Sequence, residues 1–151
     1  MEGKWQTLAS KDGFQGLDQM DELMRKIESM GKEIDADLRD RALEAGAEVA
    51  QDKIKKHPNL PVSDLPKEHA RDHIDVVKVS DDQYDIGALE EFFYLLFHEI
   101  GANGGTYEGK DGKEYKTPNI PAKPFMRPAF ESNEEEIQEA MAKVIRKELG
   151  L

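Results

Sequence analysis

Between Gly16 and His57, Leu17, Met20, Met24, Ile27, Ile34, Leu38, Ala45 and Val49 recur at steps of three, four or seven, the spacing of one helical stripe. A single helix over that stretch would be about 60 Å long. One face of a domain of 151 residues cannot cover such a rod, so the stretch must bend or split into a helix pair. Gly31 is the break, because helix propensity is weakest there. The outer ends are marked: Asp18, Asp21 and Glu22 sit at the positive end of the macrodipole, Lys53, Lys55 and Lys56 at the negative end, and Pro58 stops the helix. In the second half the stripe shrinks to Ala42, Ala45, Gly46, Val49 and Ala50. Small residues let another backbone approach closely, and core packing rather than a coiled-coil partner is the expected use.

Composition narrows the classes of function. The 21 Lys and Arg residues face 32 Asp and Glu, for a net charge of −11, so sequence-independent binding along DNA is disfavoured. With no cysteine, the chain has no disulfide, thiolate metal site or cysteine nucleophile, which fits a reducing compartment. The start, Met1-Glu2-Gly3-Lys4-Trp5, lacks the pattern of a signal peptide. The longest apolar run, Phe92 to Phe97, falls far short of the roughly 20 residues a membrane helix needs. A single soluble domain over 1–151 is expected.

Downstream of the helices, His57 to Pro66 holds three prolines and reads as a loop that turns the chain. Ile74, Val76, Val77 and Val79, then Asp81-Asp82, then Tyr84, Ile86 and Ala88, read as a β-hairpin about a short turn. Phe92 to Phe97 has no usable period, so helix and strand both remain open. In either form it is expected to be the densest core segment. Gly101 to Gly112 has five glycines and reads as a flexible loop running to about 118. From Gly101 to Pro128 five basic residues face three acidic ones, an excess of positive charge within an acidic chain. Pro118, Pro121, Pro124 and Pro128 favour an extended path that sets up a corner. Ser132 with Glu135 reads as a capping box. Ile137, Met141, Val144, Ile145 and Leu149 then form one face of a terminal helix that Gly150 closes.

Sites of chemistry are sparse. His69 and His73 are four apart and could share a helix face, with Glu68 or Asp72 as a further zinc ligand, but a strand beginning nearby would separate them. His98-Glu99-Ile100-Gly101-Ala102 opens like a metalloprotease motif and fails at Ala102, where the second His is required. The glycines at 101–105 lack the Lys-Ser or Lys-Thr of a phosphate cradle. No nucleophile stands beside a base and no metal set is complete. Neither an enzyme nor a cofactor is expected.

What remains distinctive is Tyr94-Leu95-Leu96-Phe97-His98-Glu99-Ile100-Gly101, a glycine-rich loop, and Ile120-Pro121-Ala122-Lys123-Pro124-Phe125-Met126-Arg127-Pro128-Ala129-Phe130. This combination resembles the tail-component family of long-tailed, lambdoid-type bacteriophages, which includes head–tail joining and tail-completion proteins of the neck. Tyr94, Glu99 and Gly101 match its first segment, with Ile100 for an aromatic residue and Ala102 for Thr. Pro121, Pro124, Phe125, Arg127, Pro128 and Ala129 match its second, with Met126 for Leu. The opening Phe14-Gln15-Gly16-Leu17-Asp18 also fits, while His69 to Ile74 departs from the family's pattern there.

The resemblance implies a non-enzymatic virion part from a phage or prophage, assembled in the host cytoplasm. It implies a ring, usually hexameric, between a head-completion protein and the tail tube or terminator, with DNA passing through and no specific nucleic-acid contact. The matching residues are then candidate subunit or partner contacts, although Arg127 could equally tie the corner to its own domain. On the residues alone, Phe125 is a core anchor and Arg127 a bidentate donor. The expected fold is α+β, a small antiparallel sheet packed against the long N-terminal helix and the C-terminal helix. Two other readings stay open: a small acidic protein-binding or inhibitor module, and a zinc-dependent hydrolase using His69 and His73.

Overall fold

The computed structural model describes residues 18–62, 69–88 and 92–151. The Gly16–Leu17 start of the helical stripe, the end of the proline loop and Glu68 lie outside them. The long stripe is a helix pair, α1 (Asp18–Ser29) and α2 (Ala36–Lys55). It breaks at Gly31, whose φ is +65°. The amide of Gly31 donates to the carbonyl of Glu28 and that of Lys32 to Ile27, the paired bonds of a Schellman ending. A residue with a Cβ is strained at that φ. Asp35, four residues after the glycine, then accepts from the Leu38 amide at 2.7 Å and caps α2.

The expected hairpin is present as β1 (Ile74–Ser80) and β2 (Gln83–Ala88), antiparallel with Val76 opposite Ile86. A single 3₁₀ turn, Ala70–His73, leads into it. Next come α3 (Tyr94–Ile100), the strands β3 (Gly105–Glu108) and β4 (Glu114–Thr117), the short α4 (Met126–Glu131) and α5 (Glu134–Leu149). The fold is therefore α+β. The two pairs β1–β2 and β3–β4 are separate sheets.

The element that organises the rest is α2. Asp40 and Gln51 reach the hairpin, Asp40 through Tyr84 and Lys78, and Gln51 through the Ile74 carbonyl. Ala42 packs with Ala142 and Ile145 of α5, and Met141 lies over Gly46. At 100° per residue these two sets fall on nearly opposite faces of one helix. The helix is sandwiched between sheet and α5, which accounts for its small side chains on the α5 side. Arg41–Glu148 at 2.7 Å and Lys53–Glu136 at 2.5 Å add ion pairs across the α2–α5 seam, and Lys32 donates to the Leu149 carbonyl. The pairs are largely exposed, so apolar contact carries most of the seam.

Two apolar clusters result. One joins α1, α2 and α5 through Leu23, Ile27, Ala42, Ala142 and Ile145. The other gathers at the C-terminal end of α2, where Ile54, Leu60, Ile74, Leu95, Phe125 and Ala129 meet. Full burial of Phe125 alone is worth about 2–3 kcal/mol.

Three expectations need correction. Phe92–Phe97 is not the densest core segment: Leu95 is buried, but Phe93, Tyr94 and Phe97 are exposed. A helix of two turns set across the end of α2 can bury only one stripe, and Leu95 and Glu99 are that stripe. The stretch read as a flexible loop running to about 118 contains the β3–β4 hairpin, with Tyr107 stacked on Tyr115 at 5.6 Å. Alternating Thr106, Tyr107, Tyr115 and Thr117 carry strand propensity that the glycines obscured. Ser132 is not a capping box but the C-cap of α4, its amide donating to the Pro128 carbonyl, and Asn133 precedes α5.

The hairpin's attachment to α2 is titratable. Asp40 Oδ1 accepts from the Tyr84 hydroxyl at 2.7 Å and from Lys78 Nζ at 2.9 Å. Those bonds hold the Asp40 carboxyl below the ordinary range, Lys78 first and Tyr84 second. The hydrogen bond to Asp40, then burial, pushes the Tyr84 phenol up to about 12. A raised phenol pKa stabilises the fold fully below the ordinary tyrosine value, and that contribution is lost as pH rises through about 12. The lowered Asp40 acts in the opposite sense, present above the ordinary carboxylate value and lost as pH falls through the folded one. In a spectrophotometric titration of the four tyrosines, one should ionise near pH 12. That late step should vanish in Tyr84→Phe and move toward 10 in Asp40→Asn.

Candidate functional site

The helix α4 begins Phe125-Met126-Arg127-Pro128 and has no Ser, Thr, Asp or Asn of its own at the cap; Phe125 holds that position. A helix start leaves its first amides without intrahelical acceptors. Here Glu99, near the end of α3, accepts from all of those that exist. Its Oε2 takes the amides of Phe125 at 2.7 Å and Met126 at 3.0 Å, and its Oε1 takes Arg127 at 3.0 Å. The next residue is Pro128, which has no N–H to satisfy. The first intrahelical bond then runs from Ala129 to the Phe125 carbonyl. Glu99 is only 8% exposed, and a buried carboxylate holding three amides is a strong, directional clamp.

The same corner is laced to the end of α3 by backbone. Gly101 closes α3 at φ +75°, and a Cβ there would stand 2.8 Å from the Ile120 carbonyl oxygen and 2.9 Å from the Ala122 nitrogen. Only glycine fits both that conformation and that approach. Ala102 and Ile120 exchange amide–carbonyl bonds at 2.8–2.9 Å, and the Lys123 amide donates to the His98 carbonyl at 2.6 Å. Asn59 Nδ2 donates to the Pro124 carbonyl at 2.9 Å, and Phe125 is fully buried below.

Of the residues singled out in the sequence, the structure thus brings Glu99, Gly101, Pro124, Phe125, Arg127 and Pro128 into one corner. Pro121 lies exposed on the extended path leading to it. Tyr94 sits apart at the start of α3, edge-on to Phe92 at 6.1 Å. The Arg127 guanidinium comes no nearer than 3.9 Å to Glu131 and is largely exposed, so its backbone builds the corner while its side chain faces out. Two features escaped the sequence reading. Glu99 stood out in the family resemblance and in a failed zinc motif, but its role as a cap did not, although a helix start without a cap calls for a carboxylate from elsewhere. Phe93 at the N-cap of α3, with Phe97 and Ile100 on the helix at steps of four and three, forms an outward stripe, with Phe93 65% and Ile100 62% exposed.

His69 and His73 flank the 3₁₀ turn rather than sharing an α-helix. The His73 ring stacks on Phe92 at 4.5 Å. Among the described residues no group of three His, Asp or Glu side chains is placed to hold a metal ion, and no helix is long and apolar enough to cross a membrane.

The site thus combines a hydrogen-bonded corner with an exposed apolar stripe on α3. A family model described as "Bacteriophage HK97-gp10, putative tail-component" matches residues 21–101, more than half of the chain. The chain belongs to this HK97 gp10-like family of phage tail components. The match takes in Tyr94, Glu99 and Gly101 and stops short of the corner that Glu99 caps. No curated protein and no solved structure matches the chain significantly.

The clamp predicts a graded loss of stability. Glu99→Ala leaves the Phe125 and Met126 amides buried without acceptors and should cost about 3 kcal/mol. That corresponds to a melting temperature lower by roughly 10 °C for a domain of this size. Glu99→Gln keeps one acceptor oxygen but turns an amide donor toward the backbone donors, and should fall about midway. Glu108→Ala, on the exposed hairpin, should stay within about 0.5 kcal/mol of the parent. Thermal and urea unfolding measure all three.

Proposed function

We propose that this chain is a structural, non-enzymatic protein of a phage or prophage virion that joins the tail to the head-completion complex in the neck, as one subunit of a ring. The observation that carries this reading is the corner in a tail-component fold. Glu99, Gly101 and Pro128 fix the path of residues 120–128 without offering any group for chemistry. The side chains left facing out are those of an interface: Phe93, Phe97, Ile100, Ile120 and Arg127. Exposed apolar side chains grouped on one short element mark protein contact. The partners in this reading are further copies of the chain, the head-completion protein and the tail tube or terminator. The chain is made and assembled in the host cytoplasm and ends in the virion.

An acidic subunit also suits a conduit, since a surface of net negative charge repels the DNA that must slide through it. The β3–β4 hairpin is the part of the chain best placed to engage a neighbour. All eight of its strand residues are exposed, and a two-stranded ribbon gains little stability alone. It orders fully on docking in this reading.

Deleting Tyr107 to Lys116 should leave the remaining domain folded, with an unfolding midpoint close to the parent's, because no core residue is removed. In an infection or induced prophage the same deletion should halt head–tail joining, so that filled heads and free tails accumulate separately in electron micrographs. A normal yield of complete virions would refute the reading.

A further inference from the structure

Between α1, α2 and α5 lies an open groove of about 530 Å³, lined by Met20 and Met24 of α1, Ile34 of the link that follows, Leu43 of α2, and Met141 and Ile145 of α5. Recesses of roughly 300–1,000 Å³ take small organic groups. Of the α1 side chains, Leu23 and Ile27 are buried in the cluster below. Met24 stays 38% exposed over the opening. The apolar side of α1 is therefore wider than the part its packing covers.

The rim of the groove mixes signs. Lys32 and Arg39 stand there with Glu28, Glu33 and Asp82. Lys32 donates to the Leu149 carbonyl and Arg39 pairs with Asp82 at 2.5 Å, so both bases are engaged within the chain. A strongly charged occupant finds no complementary field at such a rim. The occupant that fits is apolar at its centre, neutral overall and able to donate a hydrogen bond to a rim carboxylate. Residues 1–17 have that make-up. Their charged side chains are Glu2, Lys4, Lys11 and Asp12, a net of zero, and Trp5, Leu8 and Phe14 supply apolar area. An indole combines a large apolar body with one N–H that needs an acceptor.

We propose that residues 5–14 of the same chain run back along α1 and occupy this groove, with the Trp5 ring among Met20, Met24 and Met141 and its N–H toward the carboxylates of the rim. The groove opens beside the helix into which these residues lead, so the tether is direct. The helix α1 is about 18 Å long. The thirteen residue steps from Trp5 to Asp18 span about 40 Å when extended, enough to reach any part of the groove with slack. Such a tether gives an effective concentration on the order of millimolar, so a modest intrinsic affinity suffices, and an untethered partner must compete with it. Thioether sulfurs pack favourably on aromatic rings, and flexible methionines adjust to their shape. The inference does not depend on any place in a virion.

Trp5 is the one tryptophan of the chain, so its fluorescence reads the groove directly. In the parent its emission should lie at shorter wavelength than that of free tryptophan and resist quenching by acrylamide. Met24→Glu, with unchanged circular dichroism, should move the emission to longer wavelength and open it to the quencher. With the methionine methyls labelled by ¹³C, Trp5→Ala should shift the Met20, Met24 and Met141 signals by removing the ring current of the indole. Met30 and Met126, which lie outside the groove lining, should stay in place. Both effects should persist on dilution. A solvent-like Trp5 in the parent, a protected Trp5 indifferent to Met24→Glu, or groove methionine signals that coincide in parent and Trp5→Ala would each overturn the proposal. So would a Trp5 emission that turns solvent-like on dilution, since the segment would then sit in another copy.

Discussion

Three amides on one carboxylate hold the second half of this structure in place. Glu99 satisfies every available donor at the start of α4, and the proline at the fourth position removes the one donor it could not reach. Without that clamp, residues 120–128 would be an extended segment with one buried phenylalanine. With it, the segment becomes a corner whose geometry is set by α3. The arrangement couples two elements far apart in sequence, since α3 and α4 are separated by the whole β3–β4 hairpin. An insertion or change in that hairpin leaves the corner intact, because nothing in the clamp depends on it.

The clamp also explains why α3 can expose so much apolar surface. A two-turn helix with one buried leucine would ordinarily be a poor scaffold, because its apolar burial is too small to offset the entropy of ordering it. Here Glu99 and the Lys123–His98 and Ala102–Ile120 bonds anchor its C-terminal end. Hydrogen bonding fixes the helix, and Phe93, Phe97 and Ile100 are released from core duty. A helix fixed in this way presents its exposed aromatics already ordered, which lowers the cost of ordering that binding otherwise incurs.

Legibility in the sequence followed the range of the interaction. The break at Gly31, the β1–β2 hairpin and α5 were readable because each is fixed by residues within one or two turns: a glycine at positive φ, alternating β-branched residues, a single apolar face. The small residues of α2 announced close packing, although their partner, Met141 of α5, lies beyond any local signal. The Phe92–Phe97 run misled for the same reason. Hydropathy places six such residues in the core, but the outcome depends on how much of α3 the end of α2 can cover, a tertiary quantity. Glu99 is the extreme case. Its partners lie 26–28 residues away, and one carboxylate among 32 acidic residues is invisible by composition. Resemblance to the family picked out Glu99, Gly101, Phe125 and Pro128 as a set, and the structure supplies the reason they belong together.

The distribution of charge completes the physical picture. A uniform charge of −11 would drive copies of this chain apart, over a range set by the Debye length of about 8 Å at physiological salt. That repulsion is not uniform over the chain: residues 101–128 carry +2 against −13 elsewhere, and the exposed strands β3 and β4 lie within them, so an acidic surface approaching from that side meets the weakest opposition.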